Sequence, residues 1–326
     1  MWAAAALVDP KYHEIVINAH VQFIESGSKI ISTNSYATQP NYYSKVFGLD
    51  LYEGLLLEHA EVSAELANLA RQRCANSNKG NVHIYGSLGP ICESHQPGLF
   101  TKYAEEKGSS FCIDFYEKLS LALYNGGIDG YIVETMNTWE EAFFALEGIN
   151  KTIAKLPIGT KSLPVIVSFE GGLRNNDCLP KPQELGPQYI KKFLSYIDRN
   201  PNLNIIGFGL NCANPEEILS SFQCIFDTKV CDETNLSPIS VKRALESRDI
   251  KICVYPNLNE CRTSHVNGYD VGVVRNITKR VDLVSKQHDG FCNFTKEIVQ
   301  RFRATYIGGC CGCTPDGIKR LFETYN

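Results

Sequence analysis

Three features are missing from this sequence: a long hydrophobic run, an excess of basic residues and a positively charged leader. No apolar stretch approaches the roughly 20 residues that a membrane-spanning helix needs. The net charge is -4, from 32 Lys and Arg against 36 Asp and Glu, which indicates no basic surface for a nucleic-acid partner. The apolar start at residues 1–8 is short for a signal peptide. We therefore expect a cytoplasmic protein that binds neither membranes nor nucleic acid.

The sequence also lacks an internal repeat, a low-complexity tract and a linker, and each of these would have indicated several modules. Its 326 residues exceed the usual single-domain range, but α/β barrels of this length commonly form one domain. A glycine-rich phosphate loop after an early strand is absent as well, although a doubly wound dinucleotide-binding sheet would be expected to show one. We therefore expect a single domain over residues 1–326.

Short segments rich in Val and Ile alternate along the chain with amphipathic segments. The amphipathic segments include Tyr12–Ser26 and Leu51–Cys74, in which apolar residues recur near helical spacing. Alternating strands and helices indicate a parallel sheet with right-handed crossovers, and continuously apolar strands indicate that both faces are covered. The predicted strands are Lys29–Thr33, Val82–Ser87, Gly130–Glu134, Val165–Phe169, Ile205–Leu210, Ile252–Tyr255 and Thr305–Gly308.

Seven strands are one fewer than a (β/α)8 barrel requires, and the sequence opens into a helix instead of a strand. The predicted fold class is therefore α/β, a (β/α)8 TIM-type barrel that lacks its first β-strand. An open, doubly wound sheet is the competing fold. In a barrel, functional residues collect where the carboxyl ends of the strands meet.

Three of the 13 cysteines follow predicted strands directly: Cys212 after one, and Cys310 and Cys311 after the last. Parallel strands bring these positions to the same rim, and three thiolates with an open fourth position are typical of catalytic zinc. Two adjacent cysteines reach one metal only where the backbone turns sharply, which Gly308, Gly309 and Gly312 allow. The sequence therefore predicts a zinc site at these three cysteines.

The remaining cysteines have a simpler interpretation, because cysteine is often a small buried hydrophobic residue. Cys313 is an alternative fourth ligand, but the helix that begins after it should draw it away from the rim. We interpret five of the others as packing residues, namely Cys74, Cys112, Cys224, Cys253 and Cys292.

Six ordered motifs make the chain similar to a known family. They are Thr33-Asn34-Ser35-Tyr36-Ala37, Gly86-Ser87-Leu88-Gly89-Pro90, Glu134-Thr135 ahead of Glu141-Ala142, Gly209-Leu210-Asn211-Cys212, Tyr255-Pro256-Asn257, and Gly308-Gly309-Cys310-Cys311-Gly312 before Thr314-Pro315. On these residues the chain resembles the homocysteine S-methyltransferases over nearly its whole length. This family shares its homocysteine-binding barrel with betaine–homocysteine methyltransferase and the N-terminal module of cobalamin-dependent methionine synthase.

The resemblance implies zinc-dependent methyl transfer from a sulfonium donor to the thiol of homocysteine, giving methionine. The donor would be S-methylmethionine, since the chain looks most like that branch, or S-adenosylmethionine. The resemblance implies that Glu134, at a strand end, pairs with the ammonium group of homocysteine; a salt bridge at the rim without a ligand is the alternative. Tyr36 would line the donor pocket or pack its own loop. Asn211 and Asn257 would brace the rim by backbone hydrogen bonds.

The chain departs from the family pattern in three places. Family members begin with a strand that carries Asp-Gly-Gly, about twenty residues before the position of Met1-Trp2, so the chain is N-terminally truncated relative to the family. Ile91-Cys92 and Leu258-Asn259 replace pairs that are usual at the rim. Two alternatives therefore stay open: a selenocysteine methyltransferase, and a catalytically impaired zinc-binding paralogue that acts as a sensor or interaction protein.

Overall fold

The protein is described here by a computed structural model, which covers residues 4–75, 82–92, 94, 97–171, 187–227, 229–230, 239–258 and 280–325. Nine strands lie within these ranges, and seven of them form one parallel sheet. In chain order the strands are β1 (Ile30–Ser32), β2 (His83–Leu88), β3 (Gly130–Met136), β4 (Val165–Glu170), β5 (Ile205–Asn211), β6 (Lys229–Val230), β7 (Ile239–Ser240), β8 (Lys251–Tyr255) and β9 (Ala304–Ile307).

Helices alternate with these strands. They are α1 (Ala5–Val8), a 3-10 turn (Pro10–Tyr12), α2 (His13–Glu25), α3 (Pro40–Phe47), α4 (Tyr52–Arg73), α5 (Pro97–Lys107), α6 (Ser109–Asn125), α7 (Trp139–Lys155), α8 (Pro187–Arg199), α9 (Pro215–Asp227), α10 (Val241–Glu246), α11 (Arg280–Phe302) and α12 (Pro315–Tyr325). Across the part of the chain that the structure describes, no helix has the length and apolar character needed to cross a membrane.

The parallel sheet has the strand order β1-β2-β3-β4-β5-β8-β9 and curls into an incomplete barrel. All seven predicted strands are present, so the α/β class and the barrel with seven strands are confirmed. Strands β1 and β9 form the two edges, and no pairing between them occurs within the described residues. The antiparallel pair β6–β7 was not predicted, because two-residue strands leave no periodic pattern in a sequence.

Side chains of the sheet alternate between two hydrophobic clusters. The outer cluster lies between the sheet and the helices, where the ring centroids of Trp139 and Phe169 are 4.3 Å apart. The inner cluster lies inside the curl and contains Tyr85, Ile132, Ile166, Cys253 and Tyr255. Since strand side chains repeat every two residues, the inner cluster fixes which residues face inward at the carboxyl edge of the sheet.

Glu141, in the first turn of α7, connects two loops at that edge. Its backbone N–H donates to Thr138 Oγ1 at 3.1 Å, which is one half of the predicted capping box. Its fully buried carboxylate accepts from Ile91 N at 2.9 Å and from Asn137 Nδ2 at 3.2 Å. Because Ile91 follows β2 and Asn137 follows β3, this carboxylate fastens the two rim loops to each other. Burial raises the pKa of Glu141 to about 7.

We expect stability to depend on the protonation of Glu141. The pKa in the folded chain lies above the ordinary value of 4.5, so the folded state binds the proton more tightly and the stability that this provides is lost as pH rises through 7. Denaturant unfolding of the wild type and of Glu141→Gln should be compared at pH 5 and pH 8. The wild type should lose about 2.5 kcal/mol relative to the variant between these pH values. A constant difference between the two proteins would contradict the assignment.

Candidate metal centre

Three thiols converge at the carboxyl edge of the sheet. Cys212 follows β5, and Cys310 and Cys311 follow β9. The Sγ atom of Cys311 lies 3.9 Å from that of Cys212 and 4.0 Å from that of Cys310, and all three sulfur atoms lie within 4.8 Å of one another. Tetrahedral zinc with Zn–S bonds of about 2.3 Å places its sulfur ligands about 3.8 Å apart. The spacing of the three thiols therefore fits a zinc ion with one open position.

Backbone hydrogen bonds hold these three residues to one short segment, residues 255–258, which begins at the last residue of β8. This segment lies between the chain that follows β5 and the chain that follows β9, because β8 pairs with β5 on one side and with β9 on the other. The bonds run from Cys212 N to Tyr255 O at 3.1 Å, from Cys310 N to Pro256 O at 2.9 Å, and from Leu258 N to Cys311 O at 2.7 Å. The parallel ladder thus continues past the strand ends and fixes the thiols relative to each other.

Two backbone conformations turn the thiols toward each other. Cys212 has a φ of 53°, a left-handed conformation that few residues other than glycine adopt. Gly312 has a φ of 81° and reverses the chain after the adjacent thiols of Cys310 and Cys311. Backbone strain at a non-glycine residue of this kind persists where the surrounding structure enforces it, as the hydrogen bond to Tyr255 does here.

Cys313 lies outside the group of three. Its Sγ atom is 3.8 Å from Thr314 O, and a Cβ on Gly309 would come within 2.3 Å of that sulfur. Burial raises the pKa of Cys313 to about 12. The residue therefore packs beneath the turn that carries the other two thiols, and glycine at position 309 makes this close approach possible.

The environment of the thiols favours their neutral form until a cation is bound. Hydrogen bonds of Cys212 to Cys310 and Cys311, followed by burial, raise the pKa of Cys212 well above its ordinary value. Three neighbouring thiolates repel each other in a buried place. A divalent metal ion removes this penalty, and a donor set of three sulfurs selects zinc over hard cations such as magnesium.

A carboxylate and a phenol lie beside the thiols on the inner face. Ser87 Oγ donates to Glu134 Oε1 at 2.5 Å. Burial raises the pKa of Glu134, and the neighbouring Cys311 adds to this rise. Tyr255, only 8% exposed, lies near both Glu134 and Cys310. The site therefore combines a cluster of three thiols with a carboxyl group and a phenol.

The structure places the other predicted site residues as follows. Asn211, fully buried, accepts at Oδ1 from Thr135 N at 3.1 Å and from Ser168 Oγ at 2.7 Å, so its side chain joins β5 to β3 and β4. Asn257 donates its backbone N–H to Ala213 O at 2.8 Å. Both contacts connect neighbouring rim elements.

Tyr36 lies on the loop after β1, where its ring and carbonyl pack against Gly89 at the end of β2. This contact is loop packing, and a role in binding a donor stays a prediction. Ile91 is fully buried and Cys92 is 3% exposed, so both contribute to the hydrophobic core at the rim. Met1, Trp2 and Asn259 lie outside the described residues.

Sequence reasoning missed four polar residues of the site. A signal for three of them existed, because each lies two residues beyond a residue of the inner cluster and therefore shares its face. These are Ser87 beyond Tyr85, Ser168 beyond Ile166, and Tyr255 beyond Cys253. The fourth, Thr135, depends on an irregularity of β3 that has no sequence signature.

Comparison with known proteins identifies the family. The sequence model described as Homocysteine S-methyltransferase matches residues 1–325. Homocysteine S-methyltransferase 1 of Arabidopsis thaliana is 23% identical over 98% of this chain and 85% of its own length. Selenocysteine methyltransferase of Astragalus bisulcatus is 23% identical over 99% of this chain and 85% of its own length.

The fold is also found in solved structures. The homocysteine methyltransferase MmuM from Escherichia coli superposes with a TM-score of 0.60 for its oxidized form and 0.58 for its metallated form. The sequence identities are 21% and 20%, with 98% and 99% of this chain and 87% and 88% of those chains covered. At this identity the likeness establishes the barrel fold alone. Together with the match over nearly the whole sequence, it leads to one conclusion: the chain belongs to the homocysteine S-methyltransferase family, a class of methyl-transferring enzymes.

Proposed function

We propose that this protein is a zinc-dependent enzyme that transfers a methyl group from a sulfonium donor to the thiol of homocysteine and forms methionine. The donor is S-methylmethionine or S-adenosylmethionine. The observation that carries the proposal is the convergence of three thiols, with Sγ–Sγ distances of 3.9 and 4.0 Å, beside the Glu134 carboxylate. Residues 1–326 would form one homocysteine-binding domain. A cluster of reduced thiols suits the cytoplasm, where disulfides are rare.

Cys212, Cys310 and Cys311 would hold the zinc ion. When bound there, zinc supplies the Lewis acidity that converts the thiol of the acceptor into a nucleophilic thiolate at neutral pH. The backbone bonds to residues 255–258 keep the three ligands at their spacing with little reorganisation. Three protein ligands would leave one coordination position for the substrate sulfur.

Glu134 would bind the ammonium group of homocysteine. Its carboxylate already accepts from Ser87, so one oxygen atom is fixed while the other can accept from a ligand. Tyr255 closes the same face of the site. An ammonium group paired with a carboxylate away from bulk water forms a charge-assisted hydrogen bond, which is about twice as strong as a neutral one.

The reaction requires alignment more than acid–base catalysis. The thiolate sulfur forms a bond to the methyl carbon, the carbon–sulfonium bond breaks, and its electron pair stays on a sulfur that leaves as a neutral thioether. No proton has to be supplied to this leaving group. The residues of the rim, Tyr36 among them, would position the cationic donor in line with the acceptor and exclude water.

Selenocysteine is a second candidate acceptor. The similarity to a selenocysteine methyltransferase, over 99% of this chain, favours its inclusion. A selenolate is a softer ligand than a thiolate and suits a zinc ion held by three sulfurs equally well. The acceptor would still present its ammonium group to Glu134.

Removal of any one thiol should abolish metal binding. The purified chain should hold one zinc ion, and Cys212→Ala, Cys310→Ala and Cys311→Ala should each weaken zinc binding by at least about 100-fold, since a structural zinc ion draws on the order of 10 kcal/mol from its full ligand set. Elemental analysis after dialysis against a weak chelator measures this loss.

Cys313→Ala is the matched control, because its thiol is the nearest in sequence but points to Thr314. It should retain zinc. Full retention of zinc by the three single variants, or its loss from the control alone, would contradict the proposed ligand set.

Methyl transfer itself tests the proposed reaction. The zinc-loaded chain should convert homocysteine and S-methylmethionine, or homocysteine and S-adenosylmethionine, into methionine, and mass spectrometry with a labelled methyl group identifies the product. Selenocysteine should be offered in parallel as acceptor. Absence of a methylated product with every donor and both acceptors, while zinc is bound, would refute the proposed reaction.

Neutralising Glu134 should weaken the binding of the acceptor alone. Glu134→Gln keeps the size of the side chain but removes the charge that would pair with ammonium. We expect KM for homocysteine to rise roughly 10- to 100-fold, because a hydrogen bond to a charged group contributes about 1.5–3 kcal/mol. Zinc content and KM for the donor should stay within about twofold. An unchanged KM for homocysteine would show that Glu134 does not bind the ammonium group.

A further inference from the structure

Strand β3 contains a bulge at the candidate site. Val133 pairs with Val167 of β4, and Met136 pairs with Phe169, so two residues of β3 lie opposite the single residue Ser168. A bulge of this kind bends the strand and changes the direction of a side chain. The two residues that form the bulge are Glu134 and Thr135.

The bulge changes the alternation of the strand. Ile132 belongs to the inner cluster and Val133 to the outer one, yet Met136 also belongs to the outer cluster. Strict alternation would have sent Met136 inward. The bulge therefore leaves Glu134 facing the thiols while Thr135 contacts Asn211, and it returns Met136 to the hydrophobic core.

This arrangement strains the backbone of Thr135. Its φ is 57°, in the left-handed region that a β-branched residue rarely adopts. It is 2% exposed, so the N–H that the bulge removes from the ladder would be buried without a partner. The side chain of Asn211 binds both the N–H and the hydroxyl of Thr135: Oδ1 accepts from Thr135 N at 3.1 Å, and Nδ2 donates to Thr135 Oγ1 at 2.7 Å.

The same asparagine precedes the first thiol. Asn211 ends β5, and Cys212 follows with its own left-handed φ of 53°. Ser168 Oγ donates to Asn211 Oδ1 at 2.7 Å and completes the contact between the three strands. The buried side-chain amide of Asn211, the residue before Cys212, thus binds Thr135, the residue after Glu134.

We infer that Asn211 and Thr135 are positioning residues that set the Glu134 carboxylate at a fixed place relative to the thiol cluster, and that they thereby make the acceptor site selective for thiols that carry an ammonium group. The inference rests on the proposed function and adds to it the origin of acceptor selectivity. The left-handed backbone of Thr135, held by Asn211, is the element that matters. Neither residue needs to contact the substrate.

A matched pair of variants tests this role. Thr135→Gly and Thr135→Val both remove Oγ1, but glycine adopts a positive φ freely whereas valine opposes it. The probes are homocysteine and 4-mercaptobutyrate, which has the same chain and carboxylate but no ammonium group. Calorimetric titration of each zinc-loaded protein gives the ratio of the two dissociation constants.

The wild type should prefer homocysteine at least tenfold. Thr135→Gly should keep this preference within about threefold, whereas Thr135→Val should lose most of it, and the affinity for 4-mercaptobutyrate should stay nearly constant. Zinc content, measured on the same samples, should equal that of the wild type.

A second route keeps the test decisive if Thr135→Val does not fold. Asn211→Ala removes the partner of the Thr135 amide and should also lower the preference about tenfold. Thr135→Gly in the Asn211→Ala background should recover part of it, because glycine holds the conformation without help.

Four outcomes would overturn the inference. Equal loss in the glycine and valine variants would show that the hydroxyl matters and the backbone conformation does not. Equal retention in both would show that Thr135 has no influence on Glu134. Equal affinity of the wild type for the two probes would show that no ammonium group is recognised, whereas binding of neither probe would refute the proposed function as well.

Discussion

The site depends on the continuation of the parallel ladder past the ends of β5, β8 and β9. Hydrogen bonds from Cys212 N, Cys310 N and Leu258 N join three chain segments. The first and the last of them, at Cys212 and Cys311, are 99 residues apart in sequence. Parallel strands end at a common edge, so residues directly after them are neighbours in space whatever their separation along the chain. The thiol cluster is a direct consequence of this topology.

Bringing the thiols together has a cost that only a cation offsets. The hydrogen bonds and burial that raise the pKa of Cys212 show that a second or third thiolate would be unfavourable there without positive charge. The left-handed backbone at Cys212 adds strain. Residues so arranged are typical of functional sites, where binding of a ligand or metal ion stabilises an otherwise unfavourable geometry. This argument connects the backbone of the sheet to the proposed zinc chemistry.

Much of the fold was predictable because burial on both faces of the sheet gives its strands a continuous apolar signature. The strand-end position of Cys212, Cys310 and Cys311 was readable for the same reason. The position of Glu134 within β3 could be predicted, but the bulge that orients it could not. At the bulge, a hydrogen bond to the side chain of Asn211, distant in sequence, takes the place of a bond between the strands. Thr135 and Asn211 meet only in three dimensions, 76 residues apart in sequence. The short pair β6–β7 was missed because it has no periodicity.

The most direct measurement of the central claim is X-ray absorption at the zinc edge of the purified protein, recorded without and with homocysteine. Three cysteine ligands and an open position predict three sulfur atoms at about 2.3 Å together with one lighter atom, and then four sulfur atoms after homocysteine is added. Fewer than three sulfur ligands in the free protein, or an unchanged sulfur count in the presence of saturating homocysteine, would contradict the account.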